Sequence, residues 1–104
     1  MREENIQIHA ASHCTDQGDL ETTDWSWTLE IDGHRDADQR ICSEKAADFF
    51  ERIKPYLPLD YESRIKEPIH GPGTERSFQI GISETSDHLE VIKILKEYFP
   101  RRFN

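Results

Sequence analysis

From residue 24 to residue 32 the chain alternates without a break. Trp25, Trp27, Leu29 and Ile31 are apolar, and Ser26, Thr28, Glu30 and Asp32 between and after them are polar. A period of two carried by aromatic and β-branched residues is the pattern of a strand with one face in a core and the other in water. Residues 5–10 repeat it more briefly, setting Ile6, Ile8 and Ala10 against Gln7, His9 and Ala11. As neighbours in sequence, these two strands are expected to pair as an antiparallel hairpin across a polar turn at 15–23. His9 then falls opposite Thr28 or Glu30, depending on register. A third alternation, Phe78, Ile80 and Ile82 against Gln79, Gly81 and Ser83, marks a strand over 76–83.

Elsewhere the period lengthens. Ala46, Phe49, Phe50, Ile53 and Leu57 recur at helical spacing. Ser43 is the expected N-cap of that helix, with Glu44 and Asp48 near its positive end. Pro55 would cost about 3 kcal/mol in a helix interior, so the regular helix should stop or kink near 53–54. Asp87 followed by Glu90 resembles a capping box, opening a second stripe of Val91, Ile92, Leu95, Tyr98 and Phe99 that Pro100 ends. Residues 33–40 read as a charged loop, 61–69 as a short irregular strand with Ile65 inward, and 70–73 (His-Gly-Pro-Gly) as a turn.

These elements predict a single α+β domain over 1–104. It is a two-layer α/β sandwich in ββα-ββα order: a four-stranded antiparallel sheet with both helices on one face. The apolar stripe of 49–58 falls on that of 91–100 at an offset of 42, in keeping with two similar halves. A βαββαβ order needs a strand after the last helix, and only 101–104 remain. The other face of the sheet is left open, with Gln7, His9, His13, Ser26, Thr28, Glu30, Asp32 and Gln79 as its candidate residues.

Charge changes this picture. The net charge is −8. Residues 1–50 hold twelve acids against four bases, whereas the nine acids and nine bases of 51–104 cancel. Within 15–38 eight carboxylates stand against Arg35 alone. An acidic half argues against a phosphate-backbone binder, which needs net positive surface to release counterions. It fits a basic partner. Two Trp, three Tyr and five Phe in periodic blocks argue against a disordered chain. Cys14 and Cys42 form no CxxC, the first residues hold no apolar segment of a targeting signal, and no apolar run approaches 18 residues. A cytoplasmic protein with reduced thiols and no membrane span is expected.

No motif specifies a reaction. His9 and His13, four apart in a strand, are about 13 Å from each other, too far to share one ion. His13 and Cys14 are adjacent and point to opposite faces, so the histidine is poorly placed to activate the thiol. Cys42 near a helix start fits a structural role. Residues 32–43 look superficially like a calcium loop, but Ala37 replaces the glycine at the sixth position and Ser43 the glutamate at the twelfth. An enzyme is not expected, nor a cofactor or resident metal. What remains is a surface. Asp16, Asp19, Glu21, Asp24, Glu30, Asp32, Asp36 and Asp38, with Trp25 as an aromatic anchor, are the expected binding residues for a basic protein.

In profile alone, with no family motif, such a chain resembles small acidic inhibitors, including immunity proteins that neutralise nuclease toxins. The alternative is a structural or regulatory subunit that forms a homo-oligomer through a sheet edge.

Overall fold

The computed structural model describes residues 5–14, 25–66 and 74–103. In chain order its elements are β1 (Ile6–Cys14), β2 (Trp25–Ile31), β3 (His34–Arg35), α1 (Ser43–Ile53), β4 (Thr74–Gly81) and α2 (His88–Tyr98). The strands form one antiparallel sheet in the order β3-β2-β1-β4.

Register turns the sequence alternation into a single apolar surface. Ile8 lies opposite both Leu29 and Ile80, and Ala10 opposite both Trp27 and Phe78. Residues directly opposite one another share a face, so these rows merge. On them pack Ala46, Phe49 and Ile53 of α1 and Val91, Ile92, Ile94 and Leu95 of α2, in one buried cluster. Trp25, Ile31 and Phe50 close its margins, half-buried. The α+β class, the four-stranded antiparallel sheet and the helices on one face are therefore as the two periods require.

The order of elements differs from the ββα-ββα expectation. The fourth strand is β3, ahead of α1, inside the stretch read as a charged loop. Asp32 and Gly33 have φ of +51° and +83°, and Ile31 pairs directly with His34. A two-residue hairpin turn with positive φ at both positions is the type I′ geometry, for which Asp-Gly is a favoured pair. Tyr61–Arg64 is a 3-10 helix, followed by a single bridge from Lys66 to Ser77. It lacks the period-two apolar row that would hold a strand on the core. The turn at 70–73 lies outside the described residues, as does the polar turn at 15–23.

The helix ends follow local chemistry. Asp87 Oδ1 accepts from the Glu90 backbone N–H at 3.2 Å, capping α2. Ser43 does not cap α1. The helix begins at Ser43 itself, Cys42 holds the cap position, and no side chain supplies a capping bond. The backbone turns at Ser43 with φ of +58°, which takes that hydroxyl out of the cap role. α1 ends at Ile53, and Pro55 falls in a 3-10 helix over Lys54–Tyr56. Past α2, Arg102 reaches back across the sheet. Its guanidinium donates to the carbonyls of Leu29 at 2.5 Å and His34 at 2.7 Å.

Candidate functional site

The β2–β3 turn and the segment after β3 gather three of the predicted carboxylates. Asp32 occupies the turn, exposed, and accepts from Asn5 Nδ2 at 3.2 Å. Asp36, half-buried, accepts from the Asp38 backbone N–H at 3.0 Å and so caps the 3-10 helix Ala37–Gln39. Asp38 is exposed. No ion pair engages any of the three among the described residues. Arg35, the one base in the acidic run, is turned onto the sheet, where its Nε donates to Thr28 Oγ1 at 2.7 Å.

The remaining predicted residues lie elsewhere. Glu30 is on the open face, 3.1 Å from His9 Nε2. Trp25 starts β2 and packs edge-on against Phe78 on the core side, with ring centroids 5.3 Å apart. Seven residues of strand place it roughly 20 Å from the turn end of β2, at about 3.3 Å per residue. Trp25 and the hairpin carboxylates are therefore separate features. Asp16, Asp19, Glu21 and Asp24 lie outside the described residues.

The open face is polar, as its alternation predicts, but it is not an extension of the acidic edge. Gln79 Nε2 donates to Gln7 Oε1 at 3.0 Å. His9 sits directly opposite Thr28 and reaches Glu30 diagonally. Gln7, His9 and Gln79 floor a shallow cavity of about 570 Å³ whose walls include Arg35, Arg64, Lys66 and Glu84. Arg64 is paired with Asp60 and Glu84, and Lys66 arrives through its bridge to Ser77. Sequence reasoning missed this cationic lining. Its one legible signal was Asp32-Gly33, since a two-residue turn there sets Arg35 opposite Glu30.

Burial, seconded by the nearby Arg35 charge, holds the His9 imidazole below its ordinary value of 6.5, against the opposing pull of Glu30. At neutral pH the ring is uncharged, and its Nε2–H donates to the Glu30 carboxylate. A lowered folded-state value means that the unfolded chain takes the proton first. His9 therefore subtracts stability as pH falls below about 6.5, until the folded protein is protonated as well. His9→Gln should remove this component. The stability difference between wild type and variant, from denaturation curves at several pH values, should shift in favour of the variant as pH drops through that window. A difference constant with pH would contradict the assignment.

Among the described residues no three histidine, cysteine or carboxylate side chains converge to hold a metal ion. The Cys42 thiol is free and exposed. No helix among them is long and apolar enough to cross a membrane. The arrangement defines an α+β domain with three carboxylates, free of ion pairs among the described residues, at one edge of a mixed-charge sheet. Comparison with protein-family models, curated proteins and solved structures gives no match.

Proposed function

We propose that this protein is a stoichiometric binding protein that blocks a cationic protein partner, in the manner of an immunity protein neutralising a nuclease toxin. The β2–β3 hairpin and the 3-10 turn after it form its contact edge. The observation that supports this most is the set Asp32, Asp36 and Asp38, gathered at one sheet edge without an ion-pair partner among the described residues. Carboxylates already in ion pairs within the fold would lose them on binding a partner, whereas these have no ion pair to lose among the described residues. Unpaired acidic charge at a contact edge accelerates encounter and selects partner charge more than it adds affinity. The reading involves no catalysis, no cofactor and no direct contact with nucleic acid.

Assembly through the β2–β3 edge of the sheet has less support. The outer edge of β2 is occupied by the two residues of β3, by the Arg102 guanidinium, and by Ile41, which exchanges both backbone bonds with Trp27 at 2.9 and 3.0 Å. Short and covered edges are poor templates for strand addition.

The test is an affinity pull-down from the native host at low salt. Wild type is compared with a variant carrying Asp32→Asn, Asp36→Asn and Asp38→Asn. The expected capture is a basic protein that elutes with added salt and is depleted on the variant. An acidic partner, or equal salt-insensitive capture by both, would contradict the proposal.

A further inference from the structure

On the helix side of the sheet, at the end where β2 begins, four aromatic rings contact one another in a closed circuit. Trp27 meets Phe50 at 5.8 Å between centroids, Phe50 meets Tyr61 at 6.1 Å, Tyr61 meets Phe78 at 6.0 Å, and Phe78 returns to Trp27 at 5.7 Å. With Trp25 alongside Phe78, they line a cleft of about 260 Å³. Ligand pockets commonly run from about 300 to 1,000 Å³, so this one suits a body of one or two rings.

A second observation concerns the polar groups at this end of the sheet. Trp27 is 1% exposed, and its Nε1–H has no acceptor among the described residues. The other buried polar side-chain atom without a partner, Ser12 Oγ, belongs to the strand residue directly opposite Trp25, at the same end of the sheet. Buried donors are seldom left unpaired in native proteins, and those that are call for a specific explanation. At the mouth, the Lys54 ammonium lies 5.7 Å from the centre of the Phe50 ring with no ion pair among the described residues. Glu62 is engaged by the Tyr61 hydroxyl, a contact that contributes, after burial, to raising the tyrosine above its ordinary value. The uncommitted charged group of the cleft is thus the Lys54 ammonium, a donor.

We propose that this cleft is a binding site for a small planar aromatic acid, its ring held among Trp27, Phe50, Tyr61 and Phe78 and its carboxylate facing Lys54. A cationic occupant would gain from the ring faces but would meet the Lys54 ammonium. The −8 net charge does not reverse this preference. Exposed charges are largely screened beyond about 8–10 Å, while Lys54 lines the cleft itself. The site is independent of the acidic hairpin and of the partner proposed for it.

The chain contains two tryptophans, and both line the cleft. Two indole N–H resonances therefore report on it directly, with Trp25→Phe assigning them by loss of one peak. Titration of the ¹⁵N-labelled protein with 2-naphthoate should move the Trp27 indole resonance saturably. Cyclohexanecarboxylate, which lacks the planar ring, and 2-naphthylmethylammonium, which reverses the charge, should move it far less. Lys54→Gln, at an exposed position that leaves the core untouched, should weaken naphthoate binding roughly two- to fivefold, the range for an exposed ion pair. No saturable shift at millimolar naphthoate would overturn the proposal. So would naphthylmethylammonium binding as tightly as naphthoate, which would make the cleft a cation cage.

Discussion

Leu29→Ala is expected to destabilise the protein by about 2–5 kcal/mol. Leu29 lies in the middle of β2, fully buried, opposite Ile8 and within the cluster that joins the sheet to both helices. The substitution leaves its carbonyl, and hence the bond from Arg102, in place. The loss is therefore one of packing, namely the removed methyl groups together with whatever cavity the neighbours fail to fill. Against a total stability that is commonly about 5–15 kcal/mol for a domain, it is large enough to move a denaturation midpoint decisively. Ile31→Ala, at the half-buried end of the same strand, should cost less. A midpoint unchanged in Leu29→Ala would remove β2 from the core and with it the architecture.

Arg102→Ala should cost about 2–3 kcal/mol, because one guanidinium serves two backbone carbonyls from different strands. The effect should be local as well as global. Amide hydrogen exchange ought to accelerate in the β2–β3 hairpin before it does in the centre of β1. Arg102→Lys should recover little, since a single ammonium does not reproduce the fork that spans Leu29 and His34. Exchange rates in the hairpin equal to those of wild type would show that the chain end does not hold this edge.

The core was legible because burial acts through periodicity. Trp27, Leu29, Phe78 and Ile80 were identified as inward-facing by alternation alone, and Phe49, Ile53 and Leu95 by helical spacing. β3 was not legible in the charge pattern of 33–40, because its signal is Asp32-Gly33, a turn that depends on backbone conformation and not on polarity. Polar contacts were the least legible. Thr28 sits in the outward row yet is 4% exposed, on the face where Arg35 bonds its hydroxyl, and no spacing rule anticipates that cover. Lys66 and Arg64 reach the open face because one bridge to Ser77 carries their segment there. The aromatic cleft unites residues from 25 to 78, a tertiary coincidence that local pattern does not encode.

The role of the acidic hairpin is tested most directly by association kinetics with the captured partner across ionic strength. Asp32→Asn, Asp36→Asn and Asp38→Asn together should slow association by roughly tenfold at low salt, with dissociation changed far less, because exposed charges at an interface act chiefly on encounter. The deficit should shrink as salt shortens the screening length. Folding stability should hardly change in Asp32→Asn alone, an exposed carboxylate with no ion pair among the described residues. Glu67→Gln with Glu75→Gln, in the half whose charges cancel, should have little effect on either rate. Equal association rates for the two sets of variants, at every ionic strength, would contradict the account.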